Sequence, residues 1–559
     1  MTSRLKAWTI LGAGALVLAL VAGLAPASFA REPRTVTFLA INDIYRLEGV
    51  ADNTSGGLTR VRTLRRAIER DAPNAILLHA GDFLSPSLVS RMFKGAQMID
   101  VLNNLDGDAN AFDARMFVAF GNHEFDESTC NRPDAPLNAR VAESQFTWLA
   151  ANLDFPNCPS MNWMLSRKNV KKDGVVIEAD GVKVGLFGIG LTPDTADKSK
   201  YPPFDESLPA AKRSIDTLRK AGAELIVALT HLPREDDEAL LKELAPAGLD
   251  LLVGGHDHTH MTLKDGQGVA RGFKADSDAR TAWRIDVHVP AGARPRVTAR
   301  LMTLDSKVIP DPNLTRLAKA WTALAEEKIC LGRAKKGQRV KPGCLNTIVG
   351  RTRSLIELEE TPNRSQETGF GDWLADAMLR ETKADVAIVN SGILGLNEDL
   401  APGTRLSVRH VVDIFRFDDV VAVRSYPAKT VCKTIEHGLV LQGTGAWPHL
   451  GGVTVEVTRA GDNYEKAAVK TFTGKPGVTC DSDTPIKVAA VPYLLCGGDK
   501  YPFPVGANCM AELEARPYET GNKPALLMSR LAEAAIRAAK GGIKPEKDGR
   551  VKFIEAGGK

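Results

Sequence analysis

Five short apolar runs of this chain each end in a side chain that commonly binds metal. In chain order the runs are VTFLAIND, AILLHAGD, MFVAFGNHEFD, LIVALTH and LLVGGHDH, and they carry Asp43, Asp82, Asn122, His231, and His256 with His258. Each run has the length and apolar content of a buried strand. Each polar side chain is therefore expected just past a strand end, at the rim of a sheet where α/β proteins bind ligands. Five such segments that mix carboxylate, amide and imidazole predict a two-metal hydrolytic centre.

The length of the chain and the order of its segments predict two domains. A chain of 559 residues is too long for one ordinary core. Apolar runs alternate with helical stretches such as GGLTRVRTLRRAIERD in the first half, which predicts an α/β layered domain. We predict this domain over residues 31–308, a linking helix and loop over 309–345, a second α+β domain over 346–543, and a polar tail over 544–559.

The first thirty residues have the pattern of a secretory signal peptide. Arg4 and Lys6 precede an apolar stretch over residues 7–25, and small residues follow at Ser28 and Ala30. We expect cleavage after residue 30 and a periplasmic or secreted protein. The alternative is an uncleaved membrane anchor, because the stretch is nearly long enough to cross a bilayer. No later segment is apolar enough to do so, and no membrane contact is expected after cleavage.

The net charge bears on the kind of partner to expect, and the cysteine content bears on disulfides. The formal net charge of +4 becomes 4 − 2 = +2 without residues 1–30, which contain two basic and no acidic side chains. This balance gives no reason to expect nucleic acid as a partner. All eight cysteines follow the predicted cleavage site, and an even number in an exported protein favours disulfides. Local pairing would give Cys130–Cys158, Cys330–Cys344 and Cys496–Cys509 and leave Cys432–Cys480, but the sequence leaves the connectivity open.

The residue types at the strand ends suit a pair of divalent ions. Asp82 is the best candidate for a bridging ligand, because a carboxylate can place one oxygen on each ion, and Asp43 would hold one of them. An amide oxygen with two imidazoles favours ions such as Zn, Mn or Fe for the other, and this set is Asn122, His231 and His256. His258, two residues after His256, can reach the same centre. Taken singly, an Asp after a strand is often a helix N-cap, so the prediction depends on the whole set.

These motifs resemble a known family. GDFLSPS, GNHEFD, LTH and GGHDHTH resemble the calcineurin-like metallophosphoesterases, and with GGLTR and the second domain the chain is similar to the bacterial 5′-nucleotidase and UDP-sugar hydrolase family. The resemblance covers nearly all of residues 34–540. It implies a four-layer α/β/β/α sandwich with two divalent ions, chosen from Zn, Mn, Fe and Co, and a second domain that binds substrate. The ligand sets that it implies are Asp43, Asp82 and His258 for one ion, and Asp82, Asn122, His231 and His256 for the other.

The expected reaction follows from the charges of such a centre. Two ions that share a water lower its pKa and make hydroxide available near neutral pH, and this hydroxide attacks phosphorus in line. His123, next to Asn122, is expected to stabilise the transition state or to protonate the leaving group. Asp126 is expected to orient the imidazole of His123, and the resemblance matches the two to the histidine–aspartate pair of the family.

The first motif departs from the family at Tyr45. Most members read Asp-x-His, whereas this chain reads Asp43-Ile44-Tyr45. Tyrosine is a poor divalent ligand because its ordinary pKa is about 10 and metals bind the deprotonated form. Three roles remain open: a phenolate ligand to ferric iron, a neutral hydroxyl that orients a bound water, or a weakened first metal site.

The second domain is expected to bind the substrate. The resemblance implies that Phe417 and Tyr493 stack on a flat base, and that Asn390 and Asp499 contribute polar contacts. The family's arginine after this asparagine is absent, because the loop reads NSGILG. The candidates to replace it are Arg364, Arg405, Arg409 and Arg416. Loss of a bidentate phosphate clamp leaves room for nucleotide sugars, diphosphates and other esters.

Taken together, the sequence predicts an exported two-metal phosphoesterase that hydrolyses nucleotides or related small phosphate esters. One alternative is a hydrolase of nucleotide sugars, diphosphates or sulfur esters on the same scaffold. The other is a non-catalytic periplasmic binding protein for nucleotides. His123 and Asp126 argue against the second alternative, because a binding module has no need of such a pair.

Overall fold

The computed structural model of this protein describes residues 34–556 except 52, 127–129, 131–134, 156–157, 193–203, 334–342, 416, 462, 507 and 520–524. The predicted signal peptide and Arg416 lie outside the described residues. Within the described part of the chain, no helix combines the length and the apolar content that crossing a membrane requires.

The first half of the chain forms two large sheets. Its strands are β1 (Arg34–Ile41), β2 (Ile76–His79), β3 (Met116–Ala119), β4 (Thr147–Leu149), β5 (Val170–Lys171), β6 (Val175–Ala179), β7 (Val182–Ile189), β8 (Leu225–Thr230), β9 (Leu251–Gly254), β10 (Met261–Lys264), β11 (Ala270–Lys274), β12 (Thr281–Val289) and β13 (Arg296–Thr303). One sheet has the order β13-β12-β1-β2-β3-β4-β5 and the other β10-β11-β9-β8-β7-β6. The five predicted ligand-bearing strands are β1, β2, β3, β8 and β9.

Helices cover the outer faces of both sheets. They are α1 (Leu58–Asp71), α2 (Leu88–Phe93), α3 (Ala96–Leu102), α4 (Pro136–Glu143), α5 (Pro159–Leu165), α6 (Ser207–Lys220), α7 (Arg234–Leu244) and α8 (Pro312–Arg333). The helices α6 and α7 pack on the six-stranded sheet, whereas α1, α3 and α8 pack on the seven-stranded sheet. The last of these, α8, is the helix expected to link the two domains.

The alternation of side chains along each strand separates the core into layers. On β1, Val36 and Phe38 belong to an apolar cluster between the two sheets, together with Val227 of β8. Their neighbours Leu39 and Ile41 point the other way and pack among the helices, because successive strand residues face opposite sides. Full burial of each such side chain contributes about 1.5–3 kcal/mol. The predicted four-layer α/β/β/α arrangement is confirmed.

The second half of the chain has smaller sheets around its own core. Its strands are β14 (Ile348–Arg351), β15 (Val386–Asn390), β16 (Arg405–Ser407), β17 (Ala422–Pro427), β18 (Pro448–Gly451), β19 (Val453–Ala460), β20 (Asn463–Phe472), β21 (Pro485–Ala490) and β22 (Val551–Glu555). Its helices are α9 (Glu360–Asn363), α10 (Gly369–Thr382), α11 (Val408–Ile414), α12 (Ala428–Leu439), α13 (Pro492–Leu495), α14 (Cys509–Ala515) and α15 (Met528–Ala538). The main sheet has the order β17-β21-β15-β18, and β20-β19-β22 form a second one.

The segment expected as a polar tail contributes a strand to this half. Residues Val551–Glu555 form β22, which pairs in parallel with β19 from Val455 to Arg459. Val551 is buried, whereas most of the strand is exposed. The backbone hydrogen bonds of an edge strand need few apolar side chains, so composition alone did not reveal it.

Four disulfides join the eight cysteines. The pairs are Cys130–Cys158, Cys330–Cys344, Cys432–Cys480 and Cys496–Cys509. The local pairing considered from the sequence is therefore confirmed. Cys330 lies at the end of α8, so the second disulfide anchors this helix to the start of the second half.

Candidate metal centre

The carboxyl ends of two parallel strand groups meet at one place. Strands β1, β2 and β3 are parallel neighbours in one sheet, and β8 and β9 are parallel neighbours in the other. The loop after β1 is tied to the loop after β2, because the backbone N–H of Asp43 donates to Gly81 O at 3.0 Å. The two sheets are tied as well, since the backbone N–H of His256 donates to Asp43 Oδ2 at 2.9 Å.

The side chains of Asp43, Asp82 and His231 converge at this point. A ligand atom of each lies within 4.8 Å of those of the other two. His231 Nε2 is 3.1 Å from Asp82 Oδ2 and 4.0 Å from Asp43 Oδ1. His258 joins them, with its Nε2 at 3.3 Å from Asp43 Oδ1. The His256 ring lies 5.3 Å from the His231 ring, centroid to centroid.

The cluster concentrates negative charge away from water. Asp43 and Asp82 are at most 1% exposed. Burial alone would raise the pKa of each carboxyl, but the neighbouring His231 reverses the effect, and the pKa of both is lowered. Burial opposes a charge on His231 too, yet Asp82 and Asp43 outweigh it and raise its pKa to about 10. The carboxylates thus stay ionised and require a nearby positive charge, which a divalent ion supplies better than one proton.

Two unsatisfied atoms indicate that the donor set suits a metal. Asn122 Oδ1 and His231 Nε2 are buried and have no hydrogen-bond partner. Such atoms are costly unless a ligand satisfies them. The other nitrogen of His231, Nδ1, donates to Ala80 O at 2.7 Å, so Nε2 is the nitrogen that would present a lone pair to a metal once a divalent ion takes the place of its proton. Burial lowers the pKa of His256 to about 3, so its imidazole is neutral, the form that binds metals.

Glycine permits the close approach of these loops. A Cβ on Gly121 would lie 2.1 Å from Asp82 Oδ1, and one on Gly255 would lie 2.5 Å from Ala80 O. The φ angles of Asp43 and Asp82 are 52° and 57°, in the left-handed region that costs a non-glycine residue free energy. Strain of this kind persists where the surrounding structure holds a functional side chain in place.

His123 and Asp126 form the expected pair beside the cluster. His123 Nδ1 is 3.0 Å from Asp126 Oδ2. The backbone N–H of His123 donates to Asp82 Oδ1 at 2.9 Å, which attaches the pair to the cluster. Phe417, from the second half of the chain, lies with its ring centroid 6.0 Å from that of His123. The structure therefore brings one of the predicted stacking aromatics to the centre.

The hydroxyl of Tyr45 lies within the cluster. It is 2.9 Å from His258 Nε2, and it donates to Asp43 Oδ1 at 3.3 Å and to Asp82 Oδ2 at 3.4 Å. The side chain is 5% exposed. Tyr45 therefore occupies the place among the acidic residues where an imidazole was expected from the family pattern.

Glu124 holds the loops that carry two of these side chains, a role that sequence reasoning missed. Its Oε1 accepts from the backbone N–H of Phe83 and Leu84 at 2.8 and 3.2 Å. Its Oε2 accepts from Gly121 and Asp82 at 2.6 and 2.9 Å. The motif GNHEFD contained this residue, but most partners of its carboxylate lie about forty positions away in the chain.

Replacement of Glu124 by glutamine should destabilise the fold and the metal centre together. The amide group would direct N–H groups at two backbone N–H donors, and hydrogen bonds to charged groups contribute about 1.5–3 kcal/mol each. We expect the free energy of unfolding to fall by roughly 3 kcal/mol, with weaker metal binding. Chemical denaturation and metal analysis measure both, with Glu143→Gln on the exposed end of α4 as control. Stability within about 0.5 kcal/mol of wild type and full metal content would contradict the role.

Lys274 is a second residue that the sequence did not reveal. Its Nζ donates to Leu232 O at 2.7 Å and to Gly255 O at 3.0 Å, the residues beside His231 and His256. Burial opposes its charge, but the carboxylates of Asp237 and Asp257 outweigh it and raise the pKa of Lys274. It thus joins the loops after β8 and β9 through a buried charge.

The other predicted substrate residues form a group in the second half of the chain. Asn390 Nδ2 donates to Asp499 Oδ2 at 3.3 Å, and Tyr493 OH donates to Asp499 Oδ1 at 2.8 Å. Asn390 Oδ1 is buried without a hydrogen-bond partner. The Tyr493 ring packs on Gly498, where a Cβ would lie 2.4 Å from it.

The arginines considered as replacements for the family's phosphate ligand lie in different places. Arg364 forms an ion pair with Glu360, close to the metal cluster because Glu360 contacts His258. Arg409 pairs with Glu326 of α8 at 3.2 Å, and Arg405 is exposed on β16. Among Arg364, Arg405 and Arg409, Arg364 is therefore the one whose ion-pair partner, Glu360, contacts a residue of the metal cluster.

Comparison with known proteins agrees with this geometry. Residues 36–260 match the calcineurin-like phosphoesterases and residues 348–505 match the 5′-nucleotidase C-terminal domain. Calcineurin-like phosphoesterases use divalent metals, which agrees with the cluster formed here by Asp43, Asp82 and His231. The chain thus combines a calcineurin-like phosphoesterase domain with a 5′-nucleotidase C-terminal domain that follows it.

Individual relatives are similar along most of this chain. The trifunctional nucleotide phosphoesterase YfkN of Bacillus subtilis is 24% identical over 540 residues, which cover 90% of this chain and 34% of YfkN. The 5′-nucleotidase of Bos taurus is 28% identical over 537 residues, which cover 87% of this chain and 86% of that protein. The 5′-nucleotidase precursor of Thermus thermophilus has the same fold, with a TM-score of 0.72 and 19% identity over 93% of this chain and 99% of its own. This chain therefore spans about a third of the length of YfkN.

Proposed function

We propose that this protein is an exported two-metal phosphoesterase that hydrolyses nucleotides or related small phosphate esters. The observation that carries the proposal is the buried cluster of Asp43, Asp82 and His231, which follow β1, β2 and β8. His258, after β9, and His123, after β3, contact this cluster, and Phe417 lies beside His123. The names of the relatives support a nucleotide, since YfkN is a nucleotide phosphoesterase and the bovine protein a 5′-nucleotidase.

The proposed ligands divide into two sets that share one carboxylate. Asp43, Asp82 and His258 would hold one divalent ion, and Asp82, Asn122, His231 and His256 would hold the other. When bound, the ions supply a water of lowered pKa and positive charge beside the phosphoryl oxygens. The donor chemistry suits Zn, Mn, Fe or Co.

The proposed proton carrier is His123. With Nδ1 held by Asp126 at 3.0 Å, the imidazole has a fixed orientation, and Nε2 is the nitrogen that can give a proton to the leaving oxygen. The carboxylate of Asp126 stabilises the protonated ring before that transfer. These two residues distinguish an enzyme from a protein that only binds nucleotides.

Tyr45 is proposed to act as a neutral hydroxyl that orients the water. Its OH lies 3.3 and 3.4 Å from one oxygen each of Asp43 and Asp82, where the hydroxyl donates to these carboxylates and its oxygen can accept from a water. A ferric phenolate would colour the protein. A colourless and iron-free but active preparation therefore excludes that role.

The proposed substrate site lies between the halves of the chain. Phe417 beside His123 offers a face on which a base or another flat group can stack, and Tyr493 is proposed as the second face. Asn390 Oδ1, which is buried and without a partner, is proposed to accept from the substrate with Asp499. Gly395 stands at the place of the family arginine, so nucleotide sugars and diphosphates remain candidate substrates.

Export is proposed from the N-terminal sequence and the disulfides. Residues 1–30 carry the signal-peptide pattern, and all eight cysteines are paired. Disulfides persist in oxidising compartments such as the periplasm. We therefore propose a periplasmic or secreted location.

A panel of esters tests the proposed function. The purified protein is assayed with nucleoside monophosphates, nucleoside diphosphates, nucleotide sugars and a thiosulfate ester, with Mn, Zn, Co or Fe added separately. We expect hydrolysis of at least one nucleotide, and Asp82→Ala serves as the background control. Binding of two ions without turnover of any ester would instead indicate a binding protein, and cleavage of the sulfur ester alone would overturn the phosphoesterase assignment.

A further inference from the structure

A carboxylate from the second half of the chain reaches the metal cluster. His258 Nδ1 lies 2.6 Å from Glu360 Oε2, on the helix α9. The side chains of His258 and Glu360 are 6% and 10% exposed. The opposite nitrogen of the ring, Nε2, is the one that faces Asp43 and Tyr45. The imidazole is thus held between the first half and the second.

The position of Glu360 is itself fixed by its surroundings. Arg364, one turn further along, forms an ion pair with its carboxylate. The backbone N–H of Glu360 donates to Asn397 Oδ1 at 3.2 Å. Asn397 also reaches across to the first half, since its Nδ2 donates to Ser277 Oγ at 3.1 Å. Two contacts of Glu360, with Arg364 and with Asn397, therefore set where this carboxylate can lie.

Other contacts join the two halves along the same edge. Arg280 pairs with Glu359 at 3.5 Å and donates to Asn397 O. Arg46 donates to Leu396 O at 3.5 Å. Arg46 follows Tyr45 in the chain, and Arg280 lies two residues after Asp278, whose Oδ1 accepts from the backbone N–H of Tyr45 at 3.0 Å. The side of the cluster that carries Tyr45 and His258 therefore lies at the interface between the two halves.

We propose that Glu360 is a positioning residue that orients His258 for the metal, so that the first metal site is completed across the boundary between the two domains. A histidine ligand commonly donates its second N–H to a carboxylate, which fixes the tautomer and the orientation of the ring. Here that carboxylate comes from the other domain. The proposal depends on the proposed function only in taking His258 as a ligand.

The affinity of the full-length protein for metal tests this role. The two binding equivalents of Mn or Zn are titrated against a fluorescent chelator, without substrate. Loss of such a carboxylate lowers metal affinity about 10–100-fold, so Glu360→Gln should weaken one equivalent by that factor and leave the other unchanged. Glu359→Gln is the matched control, because it removes a neighbouring carboxylate that pairs with Arg280 at the same interface. We expect less than about a threefold change there, since exposed ion pairs contribute little.

Two results would overturn the proposal. One is wild-type affinity for both equivalents in Glu360→Gln. The other is equal weakening by Glu359→Gln and Glu360→Gln, which would make the interface as a whole responsible. If Glu360→Gln does not fold, as judged by circular dichroism, Glu360→Asp decides: a partial loss at one equivalent supports the role, and no loss overturns it. Because no ester is present, the result is independent of the substrate panel.

Discussion

Replacement of His123 by alanine should lower kcat by about 10²–10⁴-fold, the usual contribution of a general acid or base, and leave metal content unchanged. The backbone N–H that donates to Asp82 at 2.9 Å remains in alanine, so the cluster keeps that contact. What is lost is the imidazole that Asp126 holds at 3.0 Å. Turnover of the best ester and metal analysis of the same preparation measure the two quantities together.

The chain contains a matched control for this experiment. His260 Nδ1 lies 2.9 Å from Asp276 Oδ1, with its side chain 48% exposed, so it forms a similar histidine–aspartate pair outside the cluster. His260→Ala should keep turnover within about twofold of wild type, because an exposed pair contributes little. Asp126→Asn should reduce kcat less than His123→Ala, since the imidazole is retained. Wild-type turnover in His123→Ala would exclude the proposed role.

Replacement of Asp82 by alanine should abolish binding of both ions. Its Oδ2 lies 3.1 Å from His231 Nε2, its Oδ1 accepts from His123, and its carboxylate belongs to both proposed ligand sets. One lost electrostatic contact at a reaction centre costs about 10²–10³ in kcat, so turnover should fall by at least about 10³-fold. Metal stoichiometry after dialysis, together with the unfolding temperature, separates loss of metal from loss of fold.

Two further variants test whether the loss of both ions is specific to Asp82, the carboxylate that both proposed ligand sets share. Asn122→Ala should remove one equivalent of metal, because Asn122 belongs to one proposed set. Asp205→Asn, which changes a half-exposed carboxylate paired with Arg213, should keep both. Two retained equivalents in Asp82→Ala would contradict a bridging position for this residue.

Much of the fold could be predicted from the sequence because it depends on residues that are close together in the chain. Alternation along β1 reflects the two faces of a strand, and Val36 and Leu39 accordingly face different layers. The disulfide pairs follow short separations, such as the 14 residues between Cys330 and Cys344. The strand β22 was missed because the five-residue run VKFIE stands within an otherwise polar segment, and only its pairing with β19 defines it as a strand.

Part of the candidate site could also be predicted from neighbouring residues in the sequence. Asp43 and Asp82 lie directly after apolar runs, so their place at a strand end followed from the pattern. The partners of Glu124 at Asp82, Phe83 and Leu84 lie about forty residues earlier. No spacing rule relates such positions, because loop contacts depend on how strands are ordered in the sheet.

Taken alone, the amino-acid sequence indicated the five strands that carry the candidate ligands, the polar residues at their ends and the chemistry that such residues can perform, since each depends on neighbours within a few positions. Only the tertiary structure decided what surrounds them. It placed the hydroxyl of Tyr45 2.9 Å from His258 Nε2 and the carboxylate of Glu360 2.6 Å from His258 Nδ1. Glu360 is 102 residues from His258 in the chain. A hydrogen bond over that separation exists only because the two halves pack together at that edge of the sheets.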